Sequence, residues 1–152
     1  MKLKDFDFRI WDNIEKKYVK SPHGLYIENT ERNDASNCNR IIANYEQRAF
    51  YIDYPFNDRN NEYYDNEESL LIELFTGLYD KKGKKVYEND IVKVKSLYDY
   101  FLAKISIHKE GTFYFEGKNG DYIGSLIYLV EDEGYTIETI GNIHENKELL
   151  KG

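Results

Sequence analysis

The sequence predicts a mainly β protein, arranged as a small barrel or sandwich, and three observations carry that expectation. The apolar set is aromatic, with 15 Tyr and 8 Phe against one Trp and one Met, and aromatic side chains suit pleated, half-buried surfaces. Alanine is scarce, which removes the usual material of a helical bundle. Short runs of alternating or continuous apolar residues recur at close spacing with turn formers between them, the signature of antiparallel strands joined by hairpins.

Bulk properties narrow the class further. A chain of 152 residues is long enough to bury one sizeable core. Hydrophobic content of 41% is that of an ordinary globular protein. Lys+Arg 21 against Asp+Glu 28 leaves a net charge of −7, which repels phosphate backbones and disfavours nonspecific nucleic-acid or anionic-membrane binding. The single cysteine, Cys38, excludes an internal disulfide and fits a reducing compartment. No apolar run approaches the roughly 20 residues needed to span a bilayer, and no signal-peptide core is seen, so the cytoplasm is the expected location.

In chain order, Phe6 to Asp12 alternates large apolar with polar residues, Asn13 to Lys17 is a polar turn, and Tyr18-Val19 resumes the apolar signal. An opening hairpin is expected. Trp11 reads first as a core aromatic, with an exposed partner-binding anchor as the alternative. From Glu28 to Glu68 the composition turns to Asn and acidic residues. Within it, Arg40 to Tyr45 and Arg48 to Tyr54 read as a helical turn or as short strands, and Pro55 ends that run. The segment 28–68 is expected to be an irregular or small α+β insertion. Its Tyr51, Tyr54, Tyr63 and Tyr64 suit a protein-recognition surface, because tyrosine offers broad contact area with a polar tip. A loop that merely tolerates them is the bland alternative.

The most heavily punctuated stretch is Phe75 to Val94. Leu70 to Phe75 favours a strand by its length. Asp80-Lys81-Lys82-Gly83 then predicts a bulged hairpin: Asp opens a type I turn, and Gly in fourth place supplies a positive φ. Lys81, Lys82, Lys84 and Lys85 read as a solvated tip, with a phosphate or acidic partner as the alternative. Ile91 to Val94, Lys104 to His108 and Thr112 to Glu116 follow as strands, and Asn119-Gly120 predicts a type I′ turn. Ser125 to Val130 and Tyr135 to Ile140 are two more strand-like runs. Asn146 is placed to cap a short C-terminal helical turn whose Leu149 and Leu150 would fold back on the barrel.

Chemistry-bearing motifs are sparse. His23, His108 and His144 share no metal-ligand spacing with one another or with Cys38. There is no nucleophile elbow and no phosphate-cradling glycine loop. Glu131-Asp132-Glu133 reads as a solvated acidic loop. No catalytic residue, metal or cofactor is implied.

Three blocks resemble the YopX-like family of phage and prophage proteins: Arg9-Ile10-Trp11-Asp12, Thr76 to Val92, and Ile140 to Asn146. They stand in the family's order and spacing, with Glu28 to Glu68 as the poorly matching part. Asn89 replaces the family's usual glycine, which is tolerable because Asn also adopts left-handed backbone. Lys147 replaces a helix-starting proline. The resemblance implies one YopX-like domain over 1–152, with an SH3-like barrel portion over 70–150, a variable insertion or small subdomain at 28–68, and no defined catalytic residues.

The expected function is therefore that of a non-enzymatic phage or prophage accessory protein in the bacterial cytoplasm. It would act by protein–protein contact, with itself as a homo-oligomer or with a host or phage protein. Candidate contact residues are Trp11, Tyr51, Tyr54, Tyr63, Tyr64, Tyr79 and Tyr87. Alternatives are a nucleic-acid-binding barrel, with Lys81 to Lys95, Tyr79 and Tyr87 as a basic-aromatic strip, and an uncharacterised enzyme.

Overall fold

Alternating side chains become strands almost throughout. A computed structural model describes residues 2, 5–19, 24–30, 38–45, 48–51 and 70–151, and its architecture is mainly β. The chain divides into two units, Met1–Phe8 with Glu73–Gly152, and Arg9–Ile72.

In the Arg9–Ile72 unit the opening hairpin is present as β1 (Phe8–Asp12) and β2 (Lys17–Tyr18), with Trp11 opposite Tyr18 and Asp12 opposite Lys17. The turn is set by Asp12, whose Oδ1 accepts the amides of Ile14 at 2.9 Å and Glu15 at 3.1 Å. Strands β3 (Gly24–Thr30), β4 (Cys38–Tyr45) and β5 (Arg48–Tyr51) make an antiparallel sheet in chain order. Tyr26 pairs with Ile42, and Ala43 with Phe50. Of the two readings open for Arg40 to Tyr45, strand is the observed one.

In the Glu73–Gly152 unit, β6 (Leu70–Tyr79) turns back into β7 (Lys85–Tyr87). After a corner at Asn89 the chain builds β8 (Asp90–Lys95), β9 (Tyr100–Ile107), β10 (Phe113–Glu116), β11 (Tyr122–Ser125) and β12 (Thr136–Asn142). These five form a sheet of order β11-β10-β9-β8-β12. Bulges at Phe115/Glu116 and Thr139/Gly141 interrupt its register, and bulges bend strands and raise the local twist. The core is Val86, Val92, Val94, Ala103, Ile105, Phe115, Leu126 and Ile137, all at or near zero exposure. Phe101 meets Phe115 edge-on at 5.9 Å. Ile91 is also fully buried, although it shares a strand face with Lys93 and Lys95.

Three local expectations are corrected. Ser125 to Val130 does not form a strand; β11 ends at Ser125, and Tyr128–Asp132 is a wide helical turn closed by the Glu133 amide on the Tyr128 carbonyl at 3.0 Å. Leu126, Leu129 and Val130 face the core while Ile127 and Tyr128 face solvent. That i, i+3, i+4 pattern is helical, and a six-residue apolar run cannot reveal it beforehand. A Cβ at Gly124, just before this turn, would lie 2.8 Å from Leu129 Cδ1, so a larger residue there would push the leucine side chain aside. Asn119-Gly120 is not a type I′ turn, because of the two only Gly120 has a positive φ. The C-terminal turn, Lys147–Leu150, is 3-10 in form, and Asn146 does not cap it through its side chain. Its Oδ1 instead accepts the Asn142 amide at 3.2 Å.

Candidate functional site

Three hairpin tips of the Glu73–Gly152 unit share one device. In Asp80–Gly83 the Gly83 amide donates to the Asp80 carbonyl at 2.9 Å and the Asp80 amide to Lys84 at 2.7 Å. His108–Gly111 and Gly117–Gly120 repeat both bonds, with lengths from 2.8 to 3.0 Å. In each, the final glycine sits at φ between 80° and 90°. This is a type I turn followed by a left-handed bulge residue, in which only glycine is free of Cβ strain.

The tip between β8 and β9 is built differently. Ser96 and Asp99 close it, with the Ser96 amide on the Asp99 carbonyl at 2.9 Å and the Asp99 amide on Ser96 Oγ at 3.2 Å. Asp99 Oδ1 also accepts the Tyr100 amide at 2.7 Å. The residues held at its apex are Leu97, 92% exposed, and Tyr98, 95% exposed, with Tyr100 at 56% beside them. Neither apex residue is a turn former. A locally satisfied turn thus projects two large side chains into water.

A cleft of about 450 Å³ opens next to it. Phe101, Leu102, Ile123, Leu149 and Leu150 supply an apolar lining, and Lys118, Asn119 and Asp121 stand among the polar residues around it. The C-terminal turn reaches β9, so Leu149 and Leu150 do fold back on the sheet. Phe101 begins this wall three residues after Tyr98, and three residues of chain span no more than about 10 Å.

The buried polar groups act as ties. The Asp80 side chain is nearly inaccessible, at 6% exposure for the residue. Its Oδ1 accepts the Lys82 and Lys84 amides, both at 2.9 Å, and its Oδ2 the Thr139 amide at 3.1 Å. Burial pushes this carboxyl up, but the three amide hydrogen bonds outweigh it and leave it below the ordinary aspartate value. Glu73, wholly buried, receives Asn89 Nδ2 on Oε2 at 2.7 Å, and His144 Nε2 lies 2.7 Å from the same oxygen. Asn89, with φ of 69°, also donates its amide to Ile105 and accepts the Ile143 amide. One left-handed residue thereby joins β6, β9 and the closing segment.

Three lysines of the central hairpin are engaged by the chain's own carboxylates. Lys81 and Lys82 meet Glu138 at 2.9 and 3.1 Å, and their hydrogen bonds hold the Glu138 carboxyl below its ordinary value. Lys85 Nζ and Tyr87 Oη donate to Asp7 Oδ2 at 2.8 and 2.5 Å. Burial raises the Asp7 carboxyl, yet the bonds from Lys85, Tyr87 and the Phe8 amide bring it below the usual range.

Of the candidate contact residues, Trp11 is 2% exposed and packs edge-on against Tyr18 at 4.9 Å. It is a core aromatic, and its burial removes it as an exposed anchor. Tyr79 is 56% exposed, and its ring and that of half-buried Tyr87 both lean on Phe75, at 5.5 and 5.7 Å. Tyr51 closes β5, and Tyr54, Tyr63 and Tyr64 lie outside the described residues. Among the described residues no group of three His, Cys, Asp or Glu side chains suits a metal ion, and no helix is long and apolar enough to cross a membrane. Sequence reasoning missed the Leu97–Tyr98 tip and the cleft. Two strand-like runs separated by a gap without glycine, asparagine or proline were the available signal for the tip.

Sheet, hairpin tips and ties together define a mainly β protein. The chain belongs to the YopX family: the family described as "YopX protein" matches over residues 7–151. Among solved structures it is similar to protein yopX from Bacillus subtilis, at 20% identity and a TM-score of 0.53, covering 94% of this chain and 96% of that one. It is also similar to protein EF1440 from Enterococcus faecalis, at 25% identity and a TM-score of 0.51, covering 95% and 97% respectively. The search of curated proteins finds no match.

Proposed function

We propose that this protein is a non-enzymatic accessory protein of a phage or prophage, working in the bacterial cytoplasm through protein–protein contact and self-assembly on an SH3-like β scaffold. The observation that carries this reading is the β8–β9 tip, where Leu97 and Tyr98 stand more than nine-tenths exposed on a turn closed by its own hydrogen bonds. Large apolar side chains held clear of the fold add nothing to its core and mark a contact surface. The family resemblance supports the phage setting.

The nucleic-acid alternative loses support in the same region. Lys81, Lys82 and Lys85 are spent on Glu138 and Asp7, so few cations of the central hairpin remain to meet phosphates.

Light scattering on the purified full chain tests the proposal. A molar mass above the 18.1 kDa of one chain, rising with concentration, is expected. A monomer at every concentration, together with no captured protein from host lysate, would overturn it.

A further inference from the structure

We infer that the Leu97–Tyr98 tip and the neighbouring apolar cleft are the two halves of one symmetric interface, each tip entering the cleft of a second copy of this chain. The inference rests on the self-assembly reading above and specifies its geometry. Three observations favour a second copy over an unrelated occupant.

The chain itself carries an apolar protrusion and an apolar recess that nothing in the described structure fills. The protrusion is Leu97 and Tyr98, at 92% and 95% exposure. The recess, about 450 Å³ between Phe101, Leu102, Ile123, Leu149 and Leu150, lies in the size range of clefts that enclose small ligands, so it can take large side chains.

Their positions fit a two-fold axis. Phe101, in the first turn-proximal residues of β9, lies three residues after Tyr98 at the apex of the β8–β9 turn, so protrusion and recess share one end of the sheet. When a knob and a hole lie side by side on one surface, rotating a second copy by half a turn brings each knob to the other's hole. The contact then closes on itself, whereas a knob and hole on opposite faces would propagate into a chain.

Charges flank both halves with matching signs. Lys95 and Asp99, both exposed, border the tip, and Lys118 and Asp121, also exposed, border the cleft. In the symmetric arrangement Asp99 of one copy can face Lys118 of the other, and Lys95 can face Asp121. Such rim pairs contribute modestly to affinity but set orientation. Two tips and two clefts would bury on the order of 1,000 Å² or more, near the lower bound of specific interfaces, so a micromolar dimer is expected.

Sedimentation velocity on the full chain, from about 1 to 500 μM, tests the arrangement around that micromolar affinity. The wild type should reach twice the monomer mass, and L97S/Y98S should remain monomeric, with its apparent Kd raised by at least about tenfold. K95D and D121K should each weaken the dimer, and K95D/D121K should recover most of the loss, because the reversed charges meet across the axis. All four positions are exposed, so unchanged circular-dichroism melting confirms that folding is not the variable. A wild type that self-associates while L97S/Y98S keeps its full mass would overturn this interface and leave the self-assembly reading standing. Failure of the double reversal to rescue would overturn the symmetric pairing. A monomeric wild type would overturn the inference outright, and the broader proposal would then rest on a captured partner alone.

Discussion

Two hairpins a few residues apart, β6–β7 and β8–β9, end in tips of opposite construction. At Asp80–Gly83 the carboxylate is turned inwards: Asp80 takes three amides, the glycine relieves the backbone, and the exposed Lys81 and Lys82 are paired with Glu138. At Ser96–Asp99 the backbone is again satisfied, by a serine hydroxyl and a carboxylate, but the apex carries Leu97 and Tyr98 into water. The first tip serves the fold. The second uses the same economy of hydrogen bonds to display apolar surface that the fold does not need. The contrast separates stability from recognition within one sheet, and each can be perturbed without the other.

The largest effect should come from D80A. Three hydrogen bonds to a buried charge disappear and three amides lose their acceptor, so the cost should be about 3 kcal/mol, at the upper end for a point substitution. For a domain of this size that corresponds to a fall in Tm of about 6 to 12 °C. D80N, which keeps one acceptor oxygen, should lie between D80A and the wild type. A D80A melt within about 1 kcal/mol of wild type would show that the tip is not the tie described here.

How far these tips were legible in the sequence follows from distance along the chain. Asp80 and Gly83 announce their turn locally, and the structure forms it as a bulged hairpin. The third amide on Asp80 comes from Thr139, 59 residues away, and the counter-charge for Lys81 and Lys82 from Glu138. No local pattern contains either. Glu73 and His144 are separated by 71 residues, so a search for spaced histidines passes over the one that finds a buried carboxylate. Asn119-Gly120 carried a genuine turn signal but the wrong turn type, because the loop closes one pair further out, between Gly117 and Asp121. Leu97 and Tyr98 escaped notice for the opposite reason: the turn formers Ser96 and Asp99 stand on either side of them, and the apex itself carries no glycine, asparagine or proline to mark it.

Acid should weaken the first tip. Asp80 and Asp7 are both held below the ordinary carboxylate value in the folded chain, so their contribution is fully present above the unfolded value of about 4 and is lost as pH falls through the lower folded value. Denaturant titrations from pH 6 to pH 2 should therefore show the steepest loss of stability below about pH 4, shallower in D80N, where Asp80 no longer titrates while Asp7 and Glu138 still do. Equal slopes in the two proteins would mean that Asp80 gains nothing from its amides.

The smallest effect on folding should come from the tip that matters most for recognition. Leu97 and Tyr98 are 92% and 95% exposed, so serine at both positions removes almost no buried area, and the monomer's stability should change by less than about 0.5 kcal/mol. The measurement belongs at low micromolar concentration, where an association of the expected strength contributes little to the melt. At high concentration the wild type should gain apparent stability by mass action, and L97S/Y98S should not. A double variant that is destabilised even when dilute would place the tip inside the fold's own packing and erase the distinction between the two hairpins. A variant equal to wild type when dilute and weaker only when concentrated would set Asp80 and Tyr98 apart as one residue that holds the sheet and one that the sheet holds out.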